Sequence, residues 1–145
     1  MSKIFLVVML LVLSVPAMAD GGQYNDTSSD KPTVRTVKKL LKKEQYQQAI
    51  DKLLAMEKKD SNNADVYNLL GYSHRKLQRY DEAYDYYQQA LTLEPEHKGA
   101  NEYLGELYLE TDRLEQAQKQ LQILEGICSK SCREYKKLAK AIESK

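Results

Sequence analysis

Four side chains of this sequence carry most of its chemical potential. Cys128 and Cys132 are the only cysteines, separated by Ser129-Lys130-Ser131, and His74 and His97 are the only histidines. In an oxidising compartment two cysteines this close form a disulfide, and Cys128–Cys132 is expected to be one. Closing so short a loop adds at most about 2–3 kcal/mol to stability. Redox-active pairs are ordinarily Cys-x-x-Cys in a βαβ setting, and neither feature is present. A metal site needs about four ligands, and the histidines lie far along the chain from the cysteines, so no metal and no cofactor is expected. The sequence holds no Cys-x-x-Cys-His haem site, no Gly-rich phosphate loop and no Ser-His-Asp arrangement. No catalytic residue is assigned, and the chain is not expected to be an enzyme. His97, in the turn after Pro95, is expected to be solvated.

The elements that must position any site are helical. The 145 residues include 6 Gly, 3 Pro, one Phe and no Trp, which disfavours a strand-and-turn-rich sandwich. Leu, Ala, Glu, Lys and Gln are plentiful and favour helix. With 22 Lys+Arg against 21 Asp+Glu, the chain has no basic excess of the kind nucleic acid or an anionic membrane surface selects. Neither partner is expected.

The N-terminus reads as an address. Lys3 supplies a positive charge, Ile4 to Val15 are almost wholly apolar, and Pro16-Ala17-Met18-Ala19 ends in a small-x-small pattern. Residues 1–19 are therefore read as a cleaved secretory signal peptide. The apolar run of 12 residues falls short of the roughly 20 a membrane-spanning helix needs, so no membrane insertion is expected after cleavage. The basic start and Ala-Met-Ala ending have a bacterial look, which makes the periplasm the expected location. Residues 20–29 are polar and without periodicity, and read as a disordered leader.

A period of 34 residues organises the rest. Ala49, Ala83 and Ala117 are spaced 34 and 34 apart. Tyr46, Tyr80 and Leu114 each stand three positions before them, and Leu53, Tyr87 and Leu121 four positions after. Leu70-Gly71 and Leu104-Gly105 repeat at the same interval. The middle unit, Tyr67-x-x-Leu70-Gly71-x-x-His74 followed by Ala83, Tyr87, Ala90 and Pro95, resembles the tetratricopeptide repeat (TPR). The third unit departs at Asn101, where the motif has a large aromatic, and at Leu124, where it has a small residue. In the first unit Val37 replaces the Gly and Met56 the later Ala. The resemblance covers three units (30–63, 64–97, 98–131), with residues 132–145 as a C-terminal capping helix. It implies an all-α, right-handed superhelical stack of helix-turn-helix units. Small residues such as Gly71 and Ala83 let the paired helices approach, and His74, in a slot usually aromatic, is expected to be packed.

The resemblance also implies a function: binding of a protein or peptide segment in the concave groove lined by the first helix of each unit. Carried over by register, the partner-binding residues are Lys38, Lys42, Asn68, Tyr72, Arg75, Lys76, Glu102 and Glu106. Val34 and Leu69 stand where carboxylate-clamping relatives carry Lys and Asn, so a chaperone-tail clamp is not expected. Net charge by region is +4 over 30–63, −3 over 64–97, −2 over 98–131 and +3 over 132–145, which suggests a mixed-charge partner. Some of that charge is expected to pair internally, Glu102 with Lys136 and Glu106 with Lys140, each 34 apart. Tyr72, Arg75 and Lys76 have no equally obvious partner and are the preferred contacts. The leading reading is thus an adaptor of the bacterial envelope. The alternatives are a thiol-redox or metal-handling periplasmic protein using Cys128 and Cys132, and a scaffold that self-assembles into homo-oligomers through its repeat ends.

Overall fold

The computed structural model describes residues 33–145. The expected signal peptide (1–19) and leader (20–29) lie outside the described residues. Seven helices follow one another: α1 Val34–Lys42, α2 Tyr46–Glu57, α3 Ala64–Lys76, α4 Tyr80–Leu93, α5 Lys98–Glu110, α6 Leu114–Cys128 and α7 Arg133–Glu143. No strand occurs among the described residues. The first six helices form three hairpins, α7 packs on both α5 and α6, and the whole is an all-α helical repeat stack.

The boundaries at the turn inside each hairpin repeat with the sequence period: first helices end at Lys42, Lys76 and Glu110, and second helices begin at Tyr46, Tyr80 and Leu114. Each hairpin turns at a residue with left-handed backbone: Glu44 (φ 58°), Gln78 (φ 59°) and Asp112 (φ 57°). The following N–H reaches back five residues, from Gln45 to the Leu40 carbonyl (3.0 Å), Arg79 to His74 (3.0 Å) and Arg113 to Tyr108 (2.7 Å). This closes the last turn of the first helix and launches the second, which has no side-chain cap of its own.

Helices α1, α3, α5 and α7 are instead begun by side chains. Thr33 Oγ1 accepts from Thr36 N (3.2 Å), Asn63 Oδ1 from Val66 N (3.2 Å), His97 Nδ1 from Ala100 N (3.0 Å) and Cys132 Sγ from Tyr135 N (3.4 Å). His97 is therefore not the solvated turn residue expected from its place after Pro95: its ring caps α5 and only 11% of its side chain is exposed. Pro95 itself follows the end of α4 at Leu93, as its missing N–H requires.

Close approach of the helices depends on two glycines. A Cβ at Gly71 would come within 2.6 Å of the Tyr87 ring, which is fully buried between α3 and α4. One at Gly105 would overlap the Leu138 side chain, the contact that seats α7 on α5. Asn101, where the motif has an aromatic, uses its Nδ2 to donate to the carbonyls of Pro95 and His97 at 3.1 Å each, tying down the turn before α5. Leu124, oversized for its slot, is fully buried in the same cluster as Leu138. The Cys128 and Cys132 sulfurs are 2.13 Å apart, joining the end of α6 to the start of α7.

Candidate functional site

A cleft of about 550 Å³ opens on the side formed by α1, α3, α5 and α7. Lys38, Leu41 and Lys42 come from α1, Asp65, Asn68, Leu69 and Tyr72 from α3, Gly99, Glu102 and Tyr103 from α5, and Arg133 and Glu134 from α7, with His97 at the α5 cap. Lys38, Lys42, Asn68, Tyr72 and Glu102 are thus brought together in one cleft. Arg75 and Glu106 line a second cleft of about 320 Å³, with Leu109, Glu110, Ala141, Ser144 and Lys145. Lys76 is exposed and lines neither.

Between the two clefts the surface is sealed by Arg75. Its guanidinium, only 5% exposed, sits 2.5 Å from both Glu106 and Glu110. It also lies over the Tyr72 ring (5.6 Å) and the Tyr103 ring (5.7 Å). Burial works against its charge, but Tyr87, Glu106 and Glu110 more than reverse that, and its pKa is raised. The expectation that Tyr72 and Arg75 lack internal partners is corrected here. Arg75 has two carboxylates, and Tyr72 packs against Tyr46 (6.4 Å) and Tyr103 (5.0 Å).

The expected ion pairs are also shifted. Glu106 pairs with Arg75 rather than Lys140, and Glu102 pairs with Lys137 (3.3 Å) rather than Lys136. Side chains one period apart point in parallel directions across a repeat, so they lie side by side and do not meet. The partners that meet are offset: 31 and 35 residues along from Arg75, and 35 from Glu102.

In the larger cleft, Asn68 is 5% exposed and its Oδ1 has no hydrogen-bond partner within the protein. Glu102 is 1% exposed; burial raises its pKa, an effect Lys137 partly relieves. The Tyr103 hydroxyl is pushed up to about 12 by burial and by the neighbouring Glu102. The His97 ring, with Nδ1 engaged at the cap, offers Nε2 to Asp65 Oδ1 at 3.2 Å. Tyr103 was not among the expected contacts, yet it stands 34 residues after Leu69, which the register had already placed in the groove, and both line the cleft. Their shared register was the signal available.

His74 is buried against Tyr86, ring centroids 5.2 Å apart, and burial lowers its pKa. No group of three or more His, Cys, Asp or Glu side chains able to hold a metal occurs among the described residues. No described helix is long and apolar enough to cross a membrane.

Residues 64–97 match the profile of the tetratricopeptide repeat. The chain carries a tetratricopeptide repeat. Solved structures extend the TPR likeness beyond that segment. The Yersinia enterocolitica type III secretion chaperone SycD, in complex with a peptide of the translocator YopD, aligns with a TM-score of 0.65 at 17% identity, over 76% of this chain and 83% of its own. The second TPR domain of human RPAP3, in complex with an HSP70 peptide, aligns at 0.66 and 19% identity over 77% of this chain and 92% of its own. MamA from Desulfovibrio magneticus RS-1 aligns at 0.60 and 25% identity, over 64% of this chain and 52% of that one. These likenesses establish the TPR fold. Comparison with curated protein sequences gives no match.

Proposed function

We propose that this chain is a non-enzymatic protein-interaction module that holds an extended segment of a partner protein in the α1–α3–α5–α7 cleft, and that it works in the bacterial envelope. The observation that carries the reading is the cleft itself. Four successive helices contribute to it, and it combines an apolar and aromatic floor (Leu69, Tyr72, Tyr103) with a buried acceptor, Asn68 Oδ1, that no protein group uses. A buried polar atom left unpaired costs free energy; Asn68 Oδ1 is out of reach of solvent as the side chain stands, and turning the amide into the cleft lets a backbone N–H of an incoming segment satisfy it. Two structural neighbours, SycD and RPAP3, are seen with peptides. Leu69 in the floor is apolar where a clamp for a chain-terminal carboxylate needs a polar group, so a segment passing through the cleft fits better than a chain end. The envelope assignment rests on the signal-like residues 1–19.

The test is photocrosslinking in cells from two positions of the full chain, Tyr72 in the cleft and Ile123, an exposed side chain on α6. A partner captured from position 72 and not from 123, and lost with Asn68→Ala, is the expected result. Equal capture from both positions would remove the cleft reading. N-terminal sequencing of the protein from the periplasmic fraction should begin at Asp20.

A further inference from the structure

The concave face is not left with the mixed charge that its regional sums suggest. Most of its carboxylates face a cation of the protein itself: Glu102 faces Lys137 (3.3 Å), Glu106 and Glu110 share the one Arg75 guanidinium, and Glu134 holds Arg133 (2.8 Å), whereas Asp65 meets only the His97 ring (3.2 Å), whose Nδ1 is taken up as an acceptor at the α5 cap. Among the described residues, no carboxylate pairs with Lys38, Lys42, Lys136 or Lys140. What remains for a partner at the two ends of the face is unpaired positive charge, Lys38 and Lys42 on α1 and Lys136 and Lys140 on α7.

That charge is placed at the two ends of one track. The cleft shares Lys38 and Lys42 with a depression on α1 that also includes Arg35 and Lys39. On the far side it shares Arg133 with a depression on α7 that includes Lys136 and Lys140. Lys38, Tyr72, Glu106 and Lys140 are repeat-equivalent positions, 34 apart, so one column across the stack runs from cation to cation. The interior of the column is closed by the Arg75 pairs, and buried Asn68 lies between the cationic ends with its acceptor free.

We propose that the segment bound in the cleft is acidic at both ends. Its carboxylates sit on Lys38 and Lys42 at α1 and on Lys136 and Lys140 at α7, and the Asn68 amide, turned into the cleft, accepts a backbone N–H between them. This rests on the reading of the cleft as a partner-binding groove and names the chemistry it selects. Four helices spaced by about 8–10 Å span roughly 25–30 Å, which an extended chain covers in about eight or nine residues at 3.3 Å each. Exposed ion pairs contribute little singly, about 0–1 kcal/mol, so recognition comes from several acting together and is sensitive to salt.

The experiment is selection of random twelve-residue peptides displayed on phage, against the full chain and against Lys38→Glu/Lys42→Glu. Enrichment of Asp and Glu at both flanks is expected. In the variant one flank should switch to Lys and Arg while the other stays acidic. The best selected peptide, measured by fluorescence anisotropy, should bind the variant about tenfold more weakly and the Lys38→Gln/Lys42→Gln protein by an intermediate factor. Circular dichroism should be unchanged, since both lysines are exposed. Basic or uncharged flanks, or acidic flanks indifferent to the substitutions, overturn the charge assignment. The groove reading survives those outcomes only if Tyr72→Ala and Asn68→Ala abolish selection. No enrichment at all overturns both. Lysine-dependent binding to phosphatidylglycerol vesicles, with no acidic peptide selected, assigns the unpaired charge to a membrane surface instead and equally overturns the proposal.

Discussion

Two neighbouring parts of one concave face handle charge in opposite ways. Around Arg75 the cation is buried, held by two carboxylates and covered by the Tyr72 and Tyr103 rings. Around Asn68 the cations Lys38 and Lys42 stand in solvent without a described carboxylate partner, and the buried polar atom is an unpaired amide oxygen. Residue types common at binding surfaces therefore divide by burial. A cation that is desolvated must be paired inside the protein, whereas one that keeps its water can wait for a partner.

The largest expected break in this comparison is Arg75→Ala. It leaves Glu106 and Glu110 without their shared cation and opens a space beneath two tyrosines, and should destabilise the fold by about 3–5 kcal/mol in urea denaturation. Lys38→Ala and Lys42→Ala should each stay within about 0.5 kcal/mol of the parent. Similar costs at all three positions would erase the distinction between the sealed and open parts.

A smaller effect tests the packing behind each part. Gly71→Ala drives a methyl into the Tyr87 ring at 2.6 Å and should cost about 1–3 kcal/mol. At Gly99, in the open part, a methyl meets only side-chain ends, the Asn68 amide nitrogen at 3.0 Å and the His97 ring at 3.3 Å. There the helix preference for Ala, about 0.5–1 kcal/mol, should offset most of the crowding and leave thermal stability close to the parent value. Equal losses at the two glycines would mean that the open part is as tightly closed as the other.

The smallest effect sharpens the boundary between the parts, where Glu102 is buried beneath Lys137. Its folded-state pKa is raised by burial, so its contribution to stability is full below the ordinary carboxyl range and is lost as pH rises through the folded value. Lys137→Ala removes the group that lowers that pKa, moving the window upward and costing roughly 0.5–1 kcal/mol at neutral pH. Denaturation midpoints followed from acid to neutral pH, together with NMR titration of the Glu102 carboxyl, measure both. Glu102→Gln should remove this pH-dependent loss, and a midpoint unmoved by Lys137→Ala would show that the pair is too solvated to matter.

Much of the fold was legible because a repeat states its contacts several times over. The spacing of Ala49, Ala83 and Ala117, and of Gly71 and Gly105, announced where helices must approach closely. The left-handed residues Glu44, Gln78 and Asp112 keep the same period without sharing a residue type, so only the backbone shows them. The cleft was legible in outline, since Lys38, Lys42, Asn68, Tyr72 and Glu102 lie together along it. Arg75 could not be sorted from Lys38 by type: its partners are 31 and 35 residues away, offset from the repeat, and its burial depends on the tyrosines of neighbouring helices. The capping role of His97 was hidden in the same way, because it depends on the local turn that brings Nδ1 to the Ala100 N–H.

The sequence alone determined that the chain is a stack of helix pairs, because small and hydrophobic residues at a period of 34 match the tetratricopeptide repeat, whose units bury their apolar faces only by stacking. The resemblance also implied which helix of each pair lines the groove. The tertiary structure decided which charges on that side are spent on the protein itself and which remain. That outcome depends on side-chain offset and burial across neighbouring helices, and period and residue type do not specify either.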